Sequence, residues 1–157
     1  MKILTNFFIS LFYSGYFKKF PGTFASLVSL IILFPIIKNN LISFELFILL
    51  FILLFFLSLF FINYFSSYTN THDSSVIVID EFLGIYLIII FYDLVYTYND
   101  IITLILIFLI FRFYDILKIF PANIIDHRLK NSLGVLLDDI VASIYTIITL
   151  YLINVFI

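Results

Sequence analysis

Residues 41–65 read LISFELFILLFILLFFLSLFFINYF, and Glu45 is the only charged side chain in this stretch. The hydrocarbon core of a bilayer is about 30 Å thick, and about 20 apolar residues in helical conformation cross it. The stretch is longer than that requirement and contains neither of the helix breakers Pro and Gly. It therefore predicts a membrane-spanning helix.

The rest of the chain repeats this pattern. Four more apolar segments, separated by short polar connections, come near the same length: 24–37, 76–92, 101–120 and 134–157. The chain is thus predicted to be an all-α, polytopic membrane helix bundle of about five apolar helices. Polar side chains interrupt the apolar residues of segment 1–19, and this segment lacks a small-residue cleavage site. It is therefore predicted to be retained and to form an N-terminal interfacial helix. We expect residues 1–157 to form a single membrane-embedded domain.

Composition supports a lipid environment and excludes several classes of function. Of 157 residues, 64% are hydrophobic and 11% are charged, whereas a soluble domain is about half apolar and about a quarter charged. A chain this short cannot enclose so much apolar surface in one core. The net charge of −2 argues against a nucleic-acid partner. The absence of cysteine excludes disulfides, thiolate zinc sites and a cysteine nucleophile.

The basic residues are distributed unevenly between the two sides of such a bundle. If every segment crosses once, one side receives only Lys38, and the other receives the remaining basic residues of the connections. These are Lys2, Lys18, Lys19, Lys118, Arg128 and Lys130. The positive-inside rule then places the N-terminus in the cytoplasm and the C-terminus outside.

Seven ionisable side chains within the predicted spans gather at the cytoplasmic side. Each costs at least about 2.5 kcal/mol on insertion scales, so each requires a physical reason. They are Asp80, Glu81, Arg112, Asp115, Lys118, Asp138 and Asp139. Gly84 follows Asp80, and Ala142 follows Asp138, at a spacing of one helical turn. These small residues predict close approach between the acid-bearing helices.

Five carboxylates beside an arginine and a lysine suit phosphoryl chemistry assisted by a metal ion. Mg²⁺ prefers carboxylate oxygens and often retains phosphate oxygens in its shell. Glu81, Asp115 and Asp139 are the predicted metal ligands because they come from three different helices. Asp80 and Asp138 are predicted to hold a second ion, orient water or support the other ligands. All five are candidate catalytic residues.

Substrate binding is predicted at basic side chains and at a helix N-terminus. Arg112 and Lys118 would bind the phosphoryl oxygens, because arginine can contact two of them at once. The stretch PGTFAS opens the first apolar helix, where free N–H groups favour a phosphate. Thr23 is predicted to cap that helix, and Thr23 and Ser26 are the predicted phosphate-binding residues there.

Each of these features also has a simpler explanation when it is taken alone. Arg112 and Asp115 could form a structural pair within one helix, and acidic residues at a helix start commonly interact with the helix dipole. His72 is only a candidate ligand, because histidines in polar connections are commonly solvated. The convergence of several such features on one depth favours a functional site. Glu45, Asp93 and Asp100 fall on the opposite face and are interpreted as interfacial residues.

Four ordered motifs resemble the phosphatidylglycerophosphatase A family. FPGTFAS resembles the family's P-G-T-x-[GA]-S, and HDSSVIVIDEFLG, from His72 and Asp73 to Gly84, resembles H-D-x-x-x-[IV]-V-x-D-E-x-x-G. FRFYDILKIFP resembles F-R-x-x-D-x-x-K-P-x-P, and GVLLDDIVAS resembles G-x-x-x-D-D-x-x-A-G. Ile119 replaces a proline, Ser143 replaces a glycine, and residues 131–132 replace a Gly-Gly pair. No departure removes a charged group.

The resemblance implies a Mg²⁺-dependent lipid phosphatase with an all-α fold. Its implied reaction converts phosphatidylglycerophosphate into phosphatidylglycerol in glycerophospholipid synthesis. The implied location is the bacterial inner membrane, with the active site facing the cytoplasm. The alternatives are a small ion-coupled transporter or channel component, a lipid phosphotransferase and a purely structural membrane protein. Transport sites lie near the midplane, whereas these acids lie near one edge, and the D-G-x-x-A-R pattern of phosphotransferases is absent.

Overall fold

The structure is a computed structural model that describes residues 1–69, 71, 74–97 and 99–156. Within these residues the secondary structure is entirely helical. The helices are α1 Lys2–Ile9, α2 Pro21–Lys38, α3 Phe44–Thr69, α4 Ile79–Ile90, α5 Tyr92–Val95, α6 Asp100–Leu117, α7 Ala122–Arg128 and α8 Ser132–Phe156. Each of the five predicted apolar segments corresponds to one or two of these helices. The predicted all-α helical bundle is therefore confirmed.

Three of the described helices, α2, α3 and α8, are long and apolar enough to cross a membrane. Helix α4 has 12 residues and is too short for this by itself. Helix α6 has 18 residues but carries Asp100, Arg112 and Asp115. The predicted number of about five crossings therefore stays a prediction.

Helix α4 occupies the centre of the bundle. The consecutive residues 82–86 are all buried, so the helix buries every face. Such a pattern is typical of a helix enclosed by other helices. It packs most extensively on α8 and α2, and also on α3. Its buried Tyr86 hydroxyl donates to the Phe47 carbonyl of α3 at 2.9 Å, which satisfies this polar group inside the core.

Close packing around α4 depends on the glycine that the sequence singled out. A methyl group at Gly84 would lie 2.8 Å from ring atoms of Phe111 in α6 and 3.0 Å from Ser143 Oγ in α8. The Ser143 hydroxyl donates to the Gly84 carbonyl at 2.9 Å. The predicted close helix approach is thus confirmed at Gly84. Ala142 is also buried.

The N-terminal segment contacts the start of α4. Helix α1 has eight residues and is about 12 Å long, too short to span a bilayer, as predicted. It packs on α3, where the Tyr68 hydroxyl donates to Asn6 Oδ1 at 2.6 Å. At the last residue of α1, the Ile9 carbonyl accepts the Val78 N–H at 3.0 Å. The position of α1 at the membrane interface stays a prediction.

Several helices begin at residues that differ from the starts of the predicted apolar segments. Helix α2 begins at Pro21, and its N-cap is Phe20 with no side-chain cap, so the prediction that Thr23 caps it is wrong. The reason is that Pro21 takes the first helical position, which suits its fixed φ, and leaves Thr23 inside the first turn. Helix α4 begins at Ile79 rather than at residue 76. Helix α8 begins at Ser132, where Asn131 Oδ1 accepts the Gly134 N–H at 2.9 Å as a cap.

Candidate active site

A cavity of about 420 Å³ lies at the end of the bundle where α2 and α4 begin, α6 ends and α8 begins. We call this the site end. All seven charged residues singled out from the sequence line the cavity, together with Thr23. Its other walls are Phe20, Pro21, Gly22, Ser74, Ser75, Ile77, Ile116 and Val135. The fold therefore brings together side chains from four separate parts of the chain.

Three carboxylates form a group that suits a metal ion. Ligand oxygens of Asp80, Glu81 and Asp139 lie within 4.8 Å of one another. Asp139 is only 3% exposed. Its Oδ2 and Glu81 Oε2 are buried and have no hydrogen-bond partner among the described residues. Buried carboxylate oxygens are costly when unpartnered, so these atoms are suited to coordinate a cation.

The two acidic dipeptides have the same local geometry. In α4, the Glu81 N–H donates to Asp80 Oδ1 at 3.1 Å. In α8, the Asp139 N–H donates to Asp138 Oδ1 at 3.1 Å. The first carboxylate of each pair is therefore held against the backbone of the second residue. The two dipeptides sit on the two helices that pack against each other most extensively.

The basic residues are paired with carboxylates of the cavity. Arg112 forms an ion pair with Asp115 one turn along α6, and its Nη1 lies 3.6 Å from Glu81 Oε1. Lys118 Nζ donates to Asp138 Oδ2 at 2.7 Å. Lys118 ends α6 in the left-handed conformation, with φ 44°, which is unusual for a residue other than glycine. This turn places its amine beside α8.

The start of α2 lies directly against the charged group. A methyl group at Gly22 would overlap Glu81 Oε1 and would lie 3.1 Å from Arg112 Nη1. Only glycine leaves room for this approach, which explains why the helix begins Pro-Gly-Thr. Thr23 lines the cavity, and its role in phosphate binding stays a prediction. The Ser26 hydroxyl is fully buried and donates to the Gly22 carbonyl at 2.8 Å, so it lies beneath the cavity wall. The role of Ser26 in phosphate binding stays a prediction. The buried position of its hydroxyl does not favour that role.

The grouping of carboxylates differs in one respect from the predicted ligand set. Glu81 and Asp139 belong to the group of three, but its third member is Asp80, whereas Asp115 is paired with Arg112. The three-residue spacing along α6 allowed both the pair with Arg112 and a role as a metal ligand, and it could not decide between them. The assignment of Asp115 as a metal ligand thus stays a prediction. His72 and Asp73 lie outside the described residues.

Among the lining residues that sequence reasoning missed are Phe20, Gly22, Ser74 and Ser75. Gly22 was interpreted only as part of a slim helix face. The two serines follow His72 and Asp73 directly, and their place between these residues and the Asp80-Glu81 pair was the available signal. Phe20 gave no comparable signal, because exposed aromatic side chains are common in this chain.

The charge balance of the cavity favours a bound cation. Five carboxylates face two basic side chains, so the cavity carries an excess of negative charge when all are ionised. A phosphate group would be repelled by this excess unless a cation neutralised it. Hard divalent cations prefer carboxylate oxygens, and the unpartnered oxygens of Glu81 and Asp139 are of this kind. The donor set therefore fits Mg²⁺.

Comparison with known proteins agrees with the sequence motifs. The family model described as phosphatidylglycerophosphatase A matches residues 7–154. A relative from Haemophilus influenzae, named phosphatidylglycerophosphatase A, is 31% identical over 143 residues, which cover 91% of this chain and 84% of the relative. No solved structure gives a significant match. The resemblance inferred from four motifs is confirmed, and the chain belongs to the phosphatidylglycerophosphatase A family of phosphatases.

Proposed function

We propose that this protein is a Mg²⁺-dependent phosphatase that removes the terminal phosphate of phosphatidylglycerophosphate and leaves phosphatidylglycerol. It would act in glycerophospholipid synthesis at the cytoplasmic face of a bacterial inner membrane. Family membership and the name of the relative support the substrate. The observation that carries the proposal is the group of Asp80, Glu81 and Asp139, with unpartnered buried oxygens, beside Arg112.

Within this proposal, Asp80, Glu81 and Asp139 hold Mg²⁺, which when bound neutralises the carboxylates and withdraws charge from the phosphoryl group. Arg112 contacts phosphoryl oxygens, and its ion pair with Asp115 fixes its orientation. Lys118 supplies a second positive charge at the cavity. The free N–H groups at the start of α2 add hydrogen-bond donors for the phosphate.

Hydrolysis joins a water oxygen to phosphorus and breaks the bond between phosphorus and the terminal glycerol oxygen. The water loses a proton, and the departing glycerol oxygen gains one. Asp138 would orient the water and accept its proton through Oδ2 once Lys118, which now donates to that oxygen, turns to the phosphate. Asp138 lines the cavity next to Asp139 and lies outside the group of three. The lipid product keeps its first phosphate as a diester, and inorganic phosphate is released.

The direct test measures phosphate release by the purified protein in detergent micelles. We expect release from phosphatidylglycerophosphate to exceed release from phosphatidic acid and from soluble phosphomonoesters. A chelator should abolish this release, and added Mg²⁺ should restore it. Equal hydrolysis of all substrates would contradict the proposed specificity. Release that is unchanged by the chelator would contradict the metal dependence.

Orientation has a separate test, which uses the absence of native cysteine. Cysteine introduced at Lys130, just before α8, should react with an impermeant maleimide only from the cytoplasmic side. Cysteine introduced at Thr97, between α5 and α6, should react only from outside. Reversed labelling would contradict a cytoplasmic active site.

A further inference from the structure

A wholly apolar groove of about 430 Å³ lies between α2 and α6. Its walls include Leu27, Ile31 and Phe34 from α2 and Ile105, Phe108 and Leu109 from α6. The two helices pack more extensively on other partners than on each other, α2 on α4 and α6 on α8. They therefore leave a seam between them that faces the surrounding lipid. Ile31 is 65% exposed and Ile105 is 52% exposed.

The groove and the active-site cavity are lined by successive parts of the same two helices, α2 and α6. On α6, Ile105 precedes Arg112 by seven residues, and Phe108 precedes Asp115 by seven. A spacing of seven is close to two turns, so these pairs lie on one helix face. On α2, Leu27 lies one turn beyond Thr23. Arg112, Asp115 and Thr23 all line the cavity, and apolar residues one to two turns away on the same two helices line the groove.

We infer that the α2–α6 groove binds an acyl chain of the lipid substrate and guides the phosphorylated headgroup sideways from the bilayer into the cavity. The inference rests on the proposed function and adds the position of the substrate's tail. The groove presents no polar surface, which suits a hydrocarbon chain. An unpaired peptide backbone would leave hydrogen-bonding groups unsatisfied there. When Arg112 binds the headgroup, the tail of the same lipid lies at the end of the groove nearest the cavity.

A second apolar groove serves as the matched control. It has a volume of about 300 Å³ and is lined by residues of α3, α4 and α8, including Ile52. Helix α3 contributes no residue to the cavity. The α3 wall, to which Ile52 belongs, therefore lies on a helix that does not reach the cavity, whereas both helices of the α2–α6 groove also line the cavity. Ile52 is 45% exposed, similar to Ile105.

The test compares Ile105→Trp with Ile52→Trp on two substrates that share one headgroup. One is long-chain phosphatidylglycerophosphate, and the other is a short-chain, water-soluble form. We expect Ile105→Trp to raise KM for the long-chain substrate about 10-fold, because the indole fills the groove. Its kinetics on the short-chain substrate, and those of Ile52→Trp on both substrates, should remain unchanged. Equal loss on both substrates, or no loss on the long-chain substrate, would overturn the inference.

A labelling measurement decides the question without using activity. In the single-cysteine variant Ile105→Cys, long-chain substrate should slow modification by an apolar maleimide several-fold, whereas the short-chain form should not. Ile52→Cys should react at one rate in both mixtures. Equal modification rates of Ile105→Cys with the two substrates would overturn the inference. Protection that depends only on protein concentration would also overturn it, because it would indicate a second copy of the protein in the groove. Failure of the unmodified protein to release phosphate would contradict the proposed function alone.

Discussion

Carboxylates at the two ends of the bundle differ in their burial and in their hydrogen-bond partners. At the end remote from the cavity, Asp100 accepts hydrogen bonds from Lys38 at 3.1 Å and from the Tyr92 hydroxyl at 2.8 Å. That ion pair is open to its surroundings, with side-chain exposures of 48% for Lys38 and 32% for Asp100. At the site end, Asp139 is buried, and its Oδ2 has no partner among the described residues.

We interpret this difference as one between a structural carboxylate, Asp100, and a functional one, Asp139. Asp100 lies in the first turn of α6, where a carboxylate interacts favourably with the helix dipole, and its partners satisfy it further. Asp139 lies in the second turn of α8 and carries a desolvation cost that no described side chain fully offsets. A carboxylate that is buried without a compensating partner is retained in a protein where its function requires it. The following predictions test this contrast between the two ends.

The largest effect is expected for Asp139→Asn. The amide provides the metal with a neutral and poorer oxygen, so turnover should fall about 10³-fold, which corresponds to a loss of several kcal/mol of transition-state stabilisation. The Mg²⁺ concentration needed for half-maximal activity should rise as well. A Mg²⁺ titration of phosphate release in substrate micelles measures both quantities. Wild-type turnover and Mg²⁺ affinity in this variant would show that Asp139 does not hold the metal.

A smaller loss is expected for Gly22→Ala, which leaves every charged group in place. The added methyl group would overlap Glu81 Oε1, so the carboxylate must move away from its present position. Misplacement of a reacting group by about 1 Å can cost about 10²-fold in rate, and we expect a loss of that order. Thermal stability should change little, because the displaced atom is the end of a flexible side chain. Ser29→Ala, deeper in the same helix, is the matched control and should retain activity. Normal phosphate release by Gly22→Ala would show that the approach of α2 to Glu81 is not required.

Much of the fold and of the site could be predicted because both depend on local signals. Apolar runs identify helices in a membrane protein, since a chain in lipid must satisfy its backbone hydrogen bonds internally. Charged residues within such runs are costly, so Asp80, Arg112 and Asp139 stood out without any knowledge of the fold. All seven charged residues selected in this way line one cavity.

The remaining features depend on contacts between distant parts of the chain. The sequence offered the Arg112–Asp115 pair only as an alternative, and it does not reveal that Asp80 rather than Asp115 joins Glu81 and Asp139. The approach of Gly22 to Glu81 likewise joins residues that lie in different helices. Helix starts were shifted because Pro21 and Asn131 determine them through local geometry rather than through hydropathy.

A moderate and selective effect is expected for Arg112→Lys. Lysine keeps the positive charge but cannot contact two phosphoryl oxygens in a fixed plane, so kcat/KM should fall about 10-fold. The Mg²⁺ dependence should remain close to that of the unmodified protein, because the group of three carboxylates is unchanged. Parallel substrate and Mg²⁺ titrations separate these two effects. A large rise in the Mg²⁺ requirement would indicate that Arg112 acts mainly by orienting the metal ligands, contrary to the proposed role.

The smallest effect is expected for Asp100→Asn, which makes the same chemical change as Asp139→Asn at the opposite end. Asp100 already has two partners, and exposed ion pairs contribute little to stability. The amide can still accept a hydrogen bond from Tyr92, so the start of α6 should keep its structure. Turnover and Mg²⁺ dependence should therefore stay within about twofold of those of the unmodified protein. Phosphate release and thermal unfolding, measured side by side for the two Asp→Asn variants, give the comparison. If Asp100→Asn reduced turnover as strongly as Asp139→Asn, the absence of a partner at the site end would not distinguish functional from structural carboxylates in this protein.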